Sequence, residues 1–293
     1  MKHHPLAIFL FVAIIALLLC PSAPADEKSD AEQQRAILAA VENRILYAPR
    51  AYEAGVVDDF IRHGGKRIDY KTSQGAQSAW LIVPAKNARA EKLWVVCGGN
   101  ATLALELEPF CRALPFHADA FLMVDYPGYG ECAGSPSPAT LRENLKQSIL
   151  AAGKLTGIDP EKQPQRLCVF GHSLGCAAAL LAVQEFHIRA AVLCAPFTST
   201  LEMAQAILGI RANFQLQNKY DNRQGLAELR RNHGHAWIFH GDADEVIPVT
   251  MSQTLGEEFK GTATVKIIPG AHHNDILSAA GNDLIAAMAA ARK

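Results

Sequence analysis

Arg166-Leu-Cys-Val-Phe-Gly-His-Ser173-Leu-Gly-Cys-Ala-Ala-Ala-Leu180 is the stretch that decides how this chain is read. Leu167 to Phe170 is a short apolar run suited to a buried strand, and Cys176 to Glu185 is rich in alanine and leucine, as helices are. Between them stands Gly171-His172-Ser173-Leu174-Gly175, a G-x-S-x-G pentapeptide. With Gly and Ser each at about 7% of residues, a chain of this length shows that pattern by chance roughly one time in ten. The pentapeptide alone therefore decides little. Strand, sharp turn and helix in succession decide more, because they are the setting of a candidate nucleophile elbow. There two glycines relieve crowding beside a serine held above the sheet, at the positive end of the following helix.

Outward from the elbow, apolar runs alternate with helical patterns. Leu93–Cys97, Ala120–Val124, Ala190–Cys194, Ala236–His240 and Thr264–Ile268 predict strands. Leu103–Leu114, Pro138–Thr156, Pro248–Phe259 and Asp275–Ala291 predict helices. Ahead of these, residues 56–83 read as an opening antiparallel region, with Phe60-Ile61 and Ile68–Tyr70 around Gly64-Gly65, then Ser78–Val83 running to Pro84. Strands that are apolar throughout, interleaved with helices, predict an α/β fold: a mostly parallel central sheet with helices on both faces. Its ligand site lies beyond the carboxyl ends of the strands. About forty residues separate Cys194 from Ala236, with an apolar helical piece at Leu201–Ile210 and a polar piece at Asn213–Gln224. A connection that long predicts a short cap over the site, residues 196–235.

The N-terminal end reads differently. Lys2, His3 and His4 precede an unbroken apolar run from Leu6 to Cys20, followed by Ala23-x-Ala25 and then polar sequence. That is the pattern of a secretory signal peptide, residues 1–25, too short to span a bilayer comfortably. Cleavage after Ala25 predicts an exported protein, periplasmic or secreted. Lipid attachment at Cys20 and retention as an anchor are the alternatives, and the bulky Leu19 argues against the first. Residues 26–55 form an N-terminal helix and lead-in: Ala31, Ile37, Leu38, Val41, Ile45 and Leu46 recur at helical spacing over Ser29–Tyr47. Residues 56–293 form the main domain.

The 293-residue chain has a formal net charge of −1, which becomes −2 once the leader takes its single lysine away. Near-neutral balance excludes an electrostatic case for nucleic acid or an anionic membrane surface as partner. Six of the seven cysteines remain after cleavage. Cys97, Cys168, Cys176 and Cys194 fall in apolar runs and read as small buried hydrophobes; only Cys111 with Cys132 is a pair to test as a disulfide. There is no C-x-x-C and no zinc spacing, and no cofactor or metal is expected.

Every chemical candidate follows a strand. His240-Gly-Asp242-Ala-Asp244-Glu-Val-Ile-Pro248 follows one, and Pro269-Gly-Ala-His272-His273-Asn-Asp275 follows the next. Serine, acid and histidine thus occur in that order. A serine hydroxyl needs an imidazole to take its proton, and the imidazole needs a carboxylate to fix its tautomer. Chemistry alone leaves Asp242 beside Asp244 and His272 beside His273.

The chain resembles the α/β-hydrolase superfamily, in particular its serine-aminopeptidase-like and depalmitoylase-like branch. The resemblance rests on Gly98-Gly99-Asn100-Ala101, Asp125-Tyr126-Pro127-Gly128-Tyr129-Gly130-Glu131-Cys132, Gly171–Gly175, His240–Pro248 and Gly270–Asp275, in the family's order, and spans roughly residues 78–290. It implies an α/β-hydrolase fold and selects Ser173, Asp244 and His273 as the triad; Asp242 and Asp275 read as surface or capping residues, Asp275 as an N-cap for the last helix. It also implies an oxyanion hole from the backbone N–H groups of Asn100 and Leu174. Two departures stand out: Gly98 where the family has His, and Cys132 where it has Ser. Asp125 to Gly130 reads as loop-shaping rather than proton-transferring. The expected function is hydrolysis of an ester or thioester of a small or acyl-chain substrate through an acyl-serine intermediate. The alternatives are an aminopeptidase or amidase, with Glu202 or Asp221 holding the substrate amine, and a non-catalytic hydrolase-fold binding protein.

Overall fold

The computed structural model describes residues 40, 42–84, 89–209 and 216–293. The leader at 1–25, Cys20 and most of the helix expected at 29–47 lie outside these; of that helix, residues 42–46 are helical and lead to buried Tyr47.

Among the described residues, eight strands form one sheet. In chain order the elements are α1 (Val56–Arg62), β1 (Lys66–Thr72), β2 (Gly75–Ile82) and β3 (Leu93–Cys97), then a 3₁₀ turn (Ala104–Leu107) running into α2 (Glu108–Ala113). Next come β4 (Ala120–Val124), α3 (Pro138–Thr156), β5 (Leu167–His172), α4 (Leu174–Phe186), β6 (Ala190–Cys194) and α5 (Thr200–Leu208). Then follow α6 (Asn222–Arg231), β7 (His235–Gly241), α7 (Val249–Glu258), β8 (Ala263–Ile268) and α8 (Ile276–Ala291). The sheet order is β1-β2-β4-β3-β5-β6-β7-β8. Only the β1–β2 and β2–β4 pairings are antiparallel; from β4 to β8 every pairing is parallel.

Strands β3, β4 and β6 are buried at all five positions, which is why they read as unbroken apolar runs. Their alternate side chains serve two cores. Val95, Leu122, Val169, Leu193 and Ile238 face the layer that contains Leu141 and Leu145 of α3, the whole inner side of α4, Leu226 and Leu229 of α6, and Leu255 of α7. Trp94, Met123, Phe170, Val192 and Phe239 face the other layer, with Phe60 of α1, Cys111 of α2 and Leu284 and Met288 of α8.

Two expectations change. Phe60-Ile61 lies in helix α1, not a strand: Gly55 begins that helix in a left-handed turn, and Phe60 packs edge-on against Trp80, ring centroids 5.9 Å apart. Cys111 and Cys132 are not bridged; all six described cysteines are free and buried. Cys111 sits in the α2 layer, whereas the Cys132 Sγ donates to the Ser78 carbonyl at 3.3 Å. Of the polar piece at Asn213–Gln224, residues 213–215 lie outside the described residues, and Asp221 caps α6, which opens at Asn222. Leu226 and Leu229 of α6 are fully buried, and such burial stabilises by roughly 1.5–3 kcal/mol each. That part of the long connection is therefore sheet-covering helix. In α5, by contrast, no described residue is fully buried.

Candidate active site

The β5–α4 turn places Ser173 at φ 57°, ψ −123°, a backbone state that costs a non-glycine residue on the order of 1–3 kcal/mol. The surroundings hold it there. The Ser173 N–H donates to the Cys194 carbonyl and the Cys176 N–H to the Ser173 carbonyl, both at 2.9 Å. The two glycines are dictated by space: a Cβ on Gly175 would lie 2.1 Å from the Cys97 carbonyl oxygen, and one on Gly171 would lie 2.4 Å from that of Gly175. Cys176 ties the turn from below, its thiol donating to the carbonyls of Gly171 at 3.2 Å and Cys194 at 3.1 Å. Burial pushes that thiol well above its ordinary pKa, so it stays protonated and serves as a donor.

The loops after β7 and β8 bring Asp244 and His273 together. The His273 Nδ1 lies 2.7 Å from Asp244 Oδ2, with the Asp244 side chain fully buried and that of His273 6% exposed. Asp244 Oδ1 accepts the backbone N–H groups of Val246 and Ile247, each at 2.8 Å. Burial opposes ionisation of Asp244, yet the hydrogen bonds from His240, His273 and Ile247 outweigh it and hold the carboxyl well below the usual range. The two residues that chemistry alone left open are engaged elsewhere. Asp242 accepts the Gly270 N–H at 2.6 Å, and exposed His272 sits against Glu245 at 3.1 Å. Asp275 precedes α8, but its carboxylate turns back to the His272 N–H at 2.7 Å instead of capping forward.

His273 reaches the elbow through His172. The two rings are 4.9 Å apart, and His172 Nε2 lies 3.0 Å from the His273 carbonyl. Burial, with His273 beside it, pushes His172 down to about 4, so its ring is neutral at physiological pH. Among the described residues the Ser173 hydroxyl makes no hydrogen bond to the His273 ring. Such a link commonly tightens only when substrate binds.

After β3, Gly98-Gly99-Asn100 runs beside the elbow: a Cβ on Gly99 would lie 3.5 Å from the Ser173 Cβ. The Gly98 carbonyl accepts the Tyr126 hydroxyl at 2.6 Å. A Cβ at Gly98 would come 2.8 Å from the Thr102 side chain, which occupies the space a histidine there would need. The Asn100 carbonyl accepts the Tyr129 hydroxyl and, at 3.2 Å, the Ala48 N–H. Among the described residues, neither the Asn100 nor the Leu174 backbone N–H is spent on a protein acceptor.

Asp125 is a buried hub rather than a proton carrier. Its carboxylate accepts the Tyr52 hydroxyl at 2.5 Å, the Trp80 indole N–H at 2.7 Å and the Ala104 N–H at 2.8 Å, while burial raises its pKa. Glu202 is paired with Arg223 at 3.2 Å, and Asp221 accepts the Arg223 N–H at 3.0 Å, so both carboxylates considered as amine holders already have partners. Sequence reasoning passed over His240, which touches Asp244; its place at the head of His240-Gly-Asp242 was the only signal for it. Among the described residues no group of three or more His, Cys, Asp or Glu side chains is set to hold a metal ion.

A family model described as the alpha/beta hydrolase family matches residues 95–223. The chain is 30% identical over 241 residues to the uncharacterized protein YfhR of Escherichia coli O157:H7, covering 80% of this chain and 78% of that one. It is 25% identical over 210 residues to human alpha/beta hydrolase domain-containing protein 17B, covering 70% and 68%. Among solved structures, the Pyrococcus furiosus esterase Pf2001 superposes with a TM-score of 0.65 at 14% identity, over 84% of this chain and 96% of that one. Est1E from Butyrivibrio proteoclasticus gives 0.57 at 18%, over 78% and 98%.

Proposed function

Because this chain belongs to the α/β-hydrolase family, we propose that it is a serine hydrolase cleaving an ester or thioester of a small or acyl-chain substrate. The observation that carries the reading is the buried Asp244–His273 pair, 2.7 Å apart, on loops beside the strained Ser173 turn.

The Ser173 hydroxyl attacks the substrate carbonyl carbon while His273 Nε2 takes its proton. Asp244 holds the His273 Nδ1–H and stabilises the imidazolium that forms. Negative charge builds on the carbonyl oxygen, and the backbone N–H groups of Asn100 and Leu174 receive it; one such donor is worth about 3 kcal/mol. Collapse expels the alcohol or thiol, which leaves with the proton from His273. Water then attacks the acyl-serine, with His273 again taking and returning a proton. The esterase neighbours support this reading at the level of fold, and the resemblance to the depalmitoylase-like branch keeps thioesters beside esters.

The chemistry takes place outside the cytoplasm, with residues 1–25 removed as a leader; N-terminal sequencing of the mature protein then begins at Asp26, and an intact Met1 refutes export by cleavage. The reaction itself is tested by hydrolysis of a short p-nitrophenyl ester. Ser173→Ala removes turnover to the level of buffer while leaving the circular dichroism spectrum unchanged. Undiminished turnover in that variant overturns the assignment.

A further inference from the structure

His240 is fully buried at the end of β7, and nothing in the reaction just described uses it. Its Nε2 lies 3.2 Å from Asp244 Oδ2 and 3.0 Å from the Ile247 carbonyl oxygen. Both are acceptors, so Nε2 carries the hydrogen. Its Nδ1 lies 2.6 Å from the Ser252 hydroxyl of α7, whose only other acceptor among the described residues is the Pro196 carbonyl at 3.5 Å. The shorter contact takes the Ser252 hydrogen to Nδ1, and that fixes the tautomer.

A carboxylate offers about four lone-pair sites. Here they are taken by the N–H groups of Val246 and Ile247 on Oδ1 and by the rings of His273 and His240 on Oδ2. We propose that His240 is a positioning residue for the reaction: Ser252 orients its ring, and its Nε2–H holds Asp244 Oδ2 at the angle that serves His273. The proposal deepens the assignment of Ser173, Asp244 and His273 and rests on it.

Two consequences distinguish this role from simple packing. Removing the donor leaves one site on a fully buried carboxylate unfilled, so Asp244 shifts and kcat falls while substrate binding is little changed. It also turns more of the Oδ2 charge towards the His273 Nδ1–H, which favours the imidazolium and moves the acid limb of kcat/KM to higher pH. The other titratable groups that face this pair stay in place: His172 against the His273 ring, and Glu245, whose carboxylate lies 3.4 Å from the His273 N–H.

The test compares wild type, Ser173→Ala, His240→Leu, His240→Gln and Ser252→Ala on one p-nitrophenyl ester across pH. His240→Leu, which has no donor, lowers kcat about tenfold or more with KM within about twofold, and raises the acid limb. His240→Gln, whose amide can donate from a similar place, recovers most of kcat. Ser252→Ala, which leaves the imidazole but frees it to turn, falls between. If His240→Leu fails to fold, the other two decide: the same ordering supports the role. The proposal is overturned if the folded variants keep wild-type kcat and acid limb while Ser173→Ala is dead. A wild type that neither turns over the ester nor depends on Ser173 overturns the triad assignment, and this proposal with it.

Discussion

At the scale of single residues, the site is governed by close approach and by hydrogen bonds that bias charge. Gly175 has a backbone carbonyl, that of Cys97, where a side chain would stand at 2.1 Å, and a backbone atom cannot rotate away. Gly175→Ala should therefore cost about 3 kcal/mol or more, the upper range for forcing atoms into a packed site. Urea unfolding checks this; a loss below about 1 kcal/mol would mean that β3 and α4 can part freely. His172 illustrates the other side. Its ring is neutral because it is buried against His273, and that neutrality has consequences for the whole molecule's response to acid.

At the scale of elements, the helical turn at 42–46 and the residues that follow it strap the approach to α6 to the loop after β3. Glu42 accepts the N–H groups of Gln217 and Asn218 at 2.8 and 2.6 Å, and the Tyr47 hydroxyl meets that of Tyr220 at 2.7 Å, which fastens the strap to the approach to α6. The Ala48 N–H reaches both the Asn100 carbonyl, at 3.2 Å, and the Tyr129 hydroxyl, at 2.8 Å, which fastens it to the Gly98–Asn100 loop. Tyr129→Phe removes one partner from each of Ala48 and Asn100 and should destabilise by about 1–3 kcal/mol, with a fall in kcat larger than any change in KM. Equal effects on both constants would contradict a role in holding the loop.

The contacts of Glu42 and Tyr47 with the approach to α6 were not legible in the sequence, because they join residues more than 170 positions apart. What was legible followed from burial. Strands β3, β4 and β6 and helix α3 begin and end where the apolar runs and the helical pattern at Pro138–Thr156 place them, and the structure adds the Ser137 and Gly157 caps at the ends of α3. Phe60-Ile61 misled because two apolar residues carry no period, and only the packing of Phe60 on Trp80 settles their state. Asp244 and His273 were legible as loop residues after strands, and the resemblance chose between neighbours. His240 was not, because its role depends on a ring angle set by Ser252 from another element.

At the scale of the whole molecule, acid stability has a predictable window. His172 has a folded pKa of about 4, below its ordinary value of about 6.5, so between these pH values the unfolded chain binds more protons than the folded one. Stability is therefore unaffected above pH 6.5 by this group and falls as pH drops towards 4, by up to about 1.4 kcal/mol per unit. Asp244 and Glu228 behave oppositely in position. Burial opposes ionisation of Glu228, but His187, Arg231 and Asn232 hold it at about 2, so its contribution and that of Asp244 persist through this window and are lost only in stronger acid. Urea titrations at pH 7 and pH 5 should show a loss in wild type that is reduced in His172→Gln; an equal loss in both would place the acid sensitivity elsewhere.

The central claim is that a sheet of this order presents Ser173 as a nucleophile, served by His273 and Asp244. Its most direct test is the mass of the purified protein after brief exposure to a fluorophosphonate. One adduct, mapped to Ser173, absent in Ser173→Ala and strongly slowed in His273→Ala, is the predicted result. An adduct on another residue, or labelling at an undiminished rate in His273→Ala, would contradict it.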